Sequence, residues 1–95
     1  MRLRILTINL YNGRADVSAL ADALGEHSPD VVAAQELDPD GAAVLEEWGS
    51  SHLLDPRRDT TGMGMAVRGP ARLSRLSFPY RDPVVASLPA EPWGL

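Results

Sequence analysis

Two apolar runs that each close on polar residues, with a single helical stripe between them, constrain this chain more than any other feature. The first is Leu3-Arg4-Ile5-Leu6-Thr7-Ile8-Asn9-Leu10. It is rich in β-formers and leaves few polar positions, which predicts a strand buried on both faces or nearly so. Asn12-Gly13 then signals a turn. From Asp16 the period changes: Val17, Leu20, Ala21 and Leu24 fall at i, i+3, i+4 and i+7, the stripe of an amphipathic helix with Asp16 as its N-cap. Gly25 and the Ser28-Pro29 step end it. The second run, Asp30-Val31-Val32-Ala33-Ala34-Gln35-Glu36-Leu37, closes on two polar residues. Strand, helix, strand at this spacing predicts a parallel pair with a right-handed crossover.

The rest of the chain extends this unit. Asp38-Pro39-Asp40 is a helix start, with Asp as N-cap, Pro where no amide hydrogen is needed and a second acid near the positive end of the dipole. Val44, Leu45 and Trp48 are expected to face inward and Gly49 to stop the helix. Leu53-Leu54-Asp55 reads as a brief strand, and Arg57-Arg58-Asp59-Thr60-Thr61 as a polar loop. Gly62-Met63-Gly64-Met65-Ala66-Val67-Arg68 alternates, with Met63, Met65 and Val67 on one face and small residues on the other. Gly69-Pro70 turns the chain back. Ala71, Leu73, Leu76 and Phe78 then alternate with a slip at Ser74-Arg75, predicting an antiparallel partner strand with a bulge. Pro79 to Pro83 reads as loop, Val84 to Leu88 as one more strand, and residues 89–95 as a loop cut short.

Composition removes several classes. With 95 residues and 44% hydrophobic content this is one small globular domain at most. No window approaches the roughly 18 apolar residues of a membrane span, and no signal peptide is visible, so a cytoplasmic location is expected. The absence of cysteine excludes a disulfide scaffold and thiolate metal sites. A net charge of −4 argues against a broad nucleic-acid coat, because that binding needs clustered positive charge.

In parallel units functional residues lie beyond the carboxyl ends of the strands, and Asn9 and Glu36 both hold that position. Neighbouring strands lie roughly 4.8 Å apart, which puts the two side chains within reach of a common ligand. A carboxylate with a carboxamide suits a hard cation and a phosphate. Mg²⁺ takes oxygen ligands and is commonly held by one or two carboxylates, with waters and substrate phosphate completing its shell. The bland alternative is that Asn9 starts a turn and Glu36 caps a loop.

Three segments carry a resemblance. Leu3 to Gly13 is similar to the opening strand of the endonuclease/exonuclease/phosphatase superfamily, the deoxyribonuclease-I-like fold, whose first motif is an apolar strand closing on Asn. Pro29-Asp30-Val31-Val32-Ala33-Ala34-Gln35-Glu36 resembles its P-D-V-V-x-x-Q-E motif, and Gly62 to Arg68 resembles the next strand, commonly G-x-x-I-L-S-R. Ile8 stands where Trp is frequent. The resemblance implies an α/β chain forming the N-terminal half of a four-layer α/β/β/α sandwich, in the order β-α-β-α-β-β-β, with residues 1–95 an incomplete domain. It implies a Mg²⁺-dependent phosphoesterase, with Mn²⁺ as an alternative metal. Glu36 would ligate that metal, and Asn9 would orient metal-bound water or the scissile phosphate. Tyr11, Arg57 and Arg58 are candidate substrate contacts; against this, Asp55 and Asp59 beside the arginines also fit a solvated loop.

The family's later motifs, an Asp-Phe-Asn and a Ser-Asp-His triplet, have no counterpart here. The general-base Asp and the phosphate-binding His are therefore missing, and the 95 residues alone are not expected to turn over. The missing C-terminal half would complete the fold. The substrate, nucleic acid or a small phosphoester, stays open, and the acidic charge leans toward a small one. A short non-catalytic α/β binding module, or a truncated inactive product, is the alternative. His27 reads as a surface residue at a helix end, and His52, next to Ser51, has no nucleophile geometry because neighbours on a strand point to opposite faces. Met63, Met65 and Trp48 read as core, and Gly62 and Gly64 allow close backbone approach but form no phosphate loop because no Lys-Ser/Thr follows them. Two helices cannot cover both faces of such a sheet, so part of an apolar face is expected to stand open.

Overall fold

The computed structural model describes residues 2–14, 16–75 and 83–94. The elements are β1 (Ile5–Asn9), a single turn (Tyr11–Gly13), α1 (Val17–His27), β2 (Val31–Gln35), α2 (Pro39–Trp48), β3 (Ser51–Asp55), β4 (Met63–Val67), β5 (Arg72–Arg75), β6 (Val84–Ser87) and a helical turn α3 (Ala90–Trp93). This is an α/β fold, with the four strands after α2 that the residue pattern predicts, one more than the order implied by the resemblance. Both long helices start as their sequences dictate. The Asp16 side chain accepts from the Ser18 amide and that of Asp38 from the Gly41 amide, each satisfying a donor that the helix itself leaves unpaired. The same amide bond, joined by one from the Ser18 side chain, holds the Asp16 carboxyl below its ordinary range.

Four strands form one sheet in the order β1-β2-β4-β3. β1 and β2 are parallel, with Asn9 opposite Gln35, and β4 runs antiparallel to both β2 and β3. Strand alternation divides the sheet into two faces. One packs Val32, Ala34 and Ala66 against Leu20 and Leu24 of α1 and Ala42 and Leu45 of α2. The other carries Val31 and Val67, which close on Trp93 with Leu73 and Leu88 packed around them. The described residues thus stack helices, sheet and a second, two-stranded sheet.

Three sequence expectations are corrected. β1 is not buried on both faces: it is an edge strand with an alternating pattern, and Ile5 is 61% exposed on the face away from the helices. The chain after Gly69-Pro70 does not pair back onto β4, because both edges of β4 are already taken by β2 and β3. β5 pairs with β6 instead, in a separate sheet. The bulge expected toward Leu76 and Phe78 lies outside the described residues.

Nor are residues 90–93 loop. They form the turn α3, and Trp93, 3% exposed, donates from its indole Nε1 to the Pro70 carbonyl at 2.7 Å. Trp93→Ala should therefore cost about 3–5 kcal/mol, through lost burial and an emptied site. Trp93→Phe, losing chiefly the hydrogen bond, should cost nearer 1 kcal/mol. Urea melts of the two variants check this, and equal midpoints for both would contradict it.

Candidate active site

The carboxyl ends of β1 and β2 are sewn together by the residues that follow them. The Leu10 amide donates to the Gln35 carbonyl at 2.9 Å, and the Asn12 amide to the Glu36 carbonyl at 3.1 Å. Tyr11, Asn12 and Glu36 all take positive φ, at 53°, 55° and 51°, a conformation that costs a side-chain-bearing residue energy unless its surroundings over-determine it. Here the hydrogen bonds on either side do so. Gly13, at φ 84°, follows them, and a Cβ there would stand 2.9 Å from an Asp38 carboxylate oxygen, so a glycine lets the turn approach α2.

A second segment joins from the other side. The Leu37 amide donates to the Gly62 carbonyl at 3.0 Å, and the Arg57 amide donates to the Leu37 carbonyl at 2.9 Å. The Asn12 side-chain amide Nδ2 donates to the Arg58 carbonyl at 3.1 Å. Both ends of the 57–62 loop are therefore fastened beside Glu36. Within the loop, Asp59 accepts from the Thr61 hydroxyl and amide, which hold its carboxyl below the ordinary range.

All five residues singled out in the sequence thus lie at one sheet edge. Asn9 ends β1 on an exposed face, and its Oδ1 accepts from the Tyr11 amide at 2.8 Å. Glu36, half-buried, is the first residue after β2. Tyr11 is 62% exposed beside Asn9. Arg57 reaches Asp55 at 3.4 Å, a solvent-exposed pair of small energetic weight, and Arg58 is exposed. Among the described residues no group of three or more His, Cys, Asp or Glu gathers to cage a metal.

The residues set aside in the sequence lie elsewhere. His27 is exposed in the last turn of α1, and His52 is exposed on β3. Ser51 donates to the Gly69 carbonyl at 2.9 Å, so it is no partner for His52. Met65 packs against the Trp93 cluster, and Trp48 packs on the helix-side core with the Arg68 guanidinium 5.9 Å above its ring. One contributor escaped the sequence reading: Asn12 had only the signature of a turn, though the Asn-Gly pair did mark where the chain bends. Gly62 makes the close backbone approach expected of it, to Leu37 and Arg57.

A parallel β-α-β unit carrying an antiparallel strand, with Asn9 at the end of β1 and Glu36 just past the end of β2, defines an α/β protein. The model of the Endonuclease/Exonuclease/phosphatase family matches residues 6–93, and the chain belongs to that family. No curated protein and no solved structure matched it. The family is in general one of hydrolases that act on phosphoesters. No helix among the described residues is long and apolar enough to cross a membrane.

Proposed function

We propose that this chain is the metal-holding N-terminal part of a Mg²⁺-dependent phosphoesterase. The observation that carries the proposal is that Asn9 ends β1 and Glu36 directly follows β2, its parallel neighbour, with the residues after the two strands hydrogen-bonded to one another. One half-buried carboxylate at this end of the sheet, with no cluster of three or more His, Cys, Asp or Glu among the described residues, suits a cation that keeps most of its water. Mg²⁺ fits that description, and Mn²⁺ would take the same oxygen donors. Glu36 would hold it. When bound, such an ion neutralises phosphoryl charge and makes water a stronger nucleophile at neutral pH.

The chain's own side chains then have separable tasks. Because the Oδ1 of Asn9 is engaged by the Tyr11 amide, its Nδ2 is the end left to donate, and a phosphoryl oxygen is the natural acceptor. Tyr11 would line the mouth of the site. Arg57 and Arg58 would meet the phosphoester, whose geometry a guanidinium matches with two donors. The 95 residues contain neither an Asp-x-Asn after residue 68 nor a Ser-Asp-His run, so they supply no general base, and binding without turnover is expected of them. A calorimetric Mg²⁺ titration of the chain tests this. Saturable binding that Mn²⁺ displaces is expected; no binding of either ion would overturn the proposal.

A further inference from the structure

We propose that Asn12 is a positioning residue, which holds the Arg57-Arg58 loop against the Glu36 end of the site so that Arg58 is presented to phosphate. The proposal rests on the function proposed above and adds to it the residue that joins its two halves. Asn12 reaches both of them, its backbone amide bonded to the Glu36 carbonyl and its side-chain amide to the Arg58 carbonyl. Its φ of 55° is one that Asn tolerates better than most residues, because its short polar side chain can hydrogen-bond locally. The rest of the amide is committed to the same place: Oδ1 is buried and finds no partner among the described residues, so the group is enclosed rather than free to rotate into solvent.

What the tie prevents is visible next to it. A cavity of about 390 Å³ is lined by Asn12, Gly13, Asp38, Asp40 and Arg58. Arg58 lines this space together with Asp38 and Asp40, yet among the described residues it forms no ion pair with either acid. A loop released from Asn12 would leave Arg58 free to turn to Asp38 or Asp40, which would cancel its charge. Fixing the Arg58 carbonyl pre-organises the segment, and pre-organisation raises affinity by removing an ordering cost from the binding step.

The test compares two ligands on the same chain. Mg²⁺ affinity is read by calorimetry, and the affinity of the Mg²⁺-saturated chain for inorganic phosphate by NMR titration. Asn12→Gly removes the amide while keeping a residue that accepts positive φ, so the turn itself is retained. It should leave Mg²⁺ affinity unchanged and weaken phosphate binding about fivefold, the effect of one ordinary hydrogen bond. Arg58→Ala, which removes an exposed side chain, should weaken phosphate binding at least as much. Combining the two should add little, because both act through the same guanidinium.

Equal phosphate affinity in Asn12→Gly and the parent chain would overturn the proposal and leave the metal site standing. A parallel fall in Mg²⁺ and phosphate affinity would also overturn it, by showing a general structural role. So would a chain that binds Mg²⁺ but no phosphate. A chain that binds no Mg²⁺ would remove the function proposed above, and this proposal with it.

Discussion

Gly62→Ala is expected to destabilise the protein by more than about 3 kcal/mol, a large loss for a chain this small. A Cβ at this position would lie 2.0 Å from the Leu37 carbonyl oxygen and 2.8 Å from the Arg57 amide nitrogen. Both are backbone atoms, so no side-chain rotation relieves the overlap. That carbonyl already accepts from Arg57, while the Gly62 carbonyl accepts from Leu37, so moving the chain apart sacrifices two hydrogen bonds at once. Leu37 is itself fully buried, and a displacement there is felt in the helix-side core. Gly25→Ala is the internal control. Nothing lies within 4 Å of a Cβ at that position in α1, so the substitution should be neutral or stabilising by up to about 1 kcal/mol through helix propensity. Chemical denaturation of both variants decides the matter: a Gly62→Ala midpoint equal to that of the parent would refute this account of the Leu37 junction.

Glu36→Gln carries the largest expected functional effect. The substitution keeps the shape of the side chain and removes its charge, and the Glu36 backbone bond to Asn12 does not depend on that charge. Mg²⁺ affinity should fall at least about a hundredfold, some 2.8 kcal/mol, because a hard divalent ion loses its anionic ligand and retains only neutral oxygens. Stability without metal should change by less than about 0.5 kcal/mol, as for an ordinary substitution of a partly exposed residue. Calorimetry with Mg²⁺ and a melt in chelator read the two quantities separately. Undiminished Mg²⁺ binding in the variant would remove Glu36 from the site, whatever happened to the melt.

Much of the local structure was legible in the sequence because it is set by local chemistry. The i, i+3, i+4, i+7 stripe and the capping acids Asp16 and Asp38 placed both helices. The period-2 run placed β4 with Met65 and Val67 on a face distinct from that of Ala66. The placement of Asn9 and Glu36 at a common edge followed from the parallel pairing of their strands. What the sequence hid was set by competition between distant segments. The alternation after Pro70 said that β5 is a strand, and it could not say that β4 would have no free edge to offer it. Ile5 looked like core because isoleucine favours strands on either face, and which face is covered depends on elements far along the chain. Trp93 sits in a Pro-rich stretch with no periodicity, so nothing local announced its bond to Pro70. Asn12 was hidden for the same reason, since its role lies in contacts made 24 and 46 positions away along the chain.

The two clusters of buried residues divide the molecule into cooperative units of unequal strength. Among the described residues, nine buried ones close the helix-side core and three close the other, and the two cores meet back to back through the neighbouring pairs Val31-Val32 and Ala66-Val67. Segments with fewer buried contacts open at lower free energy than the molecule as a whole. The β5-β6 sheet is joined to Val31 and Val67 through Trp93, with Leu73 and Leu88 packed around it, so lifting it would uncover the smaller cluster and leave the larger one closed. Leu10 and Leu37, which flank the Asn9 and Glu36 edge, belong to the larger core. The residues proposed to hold the metal thus adjoin the larger of the two described cores.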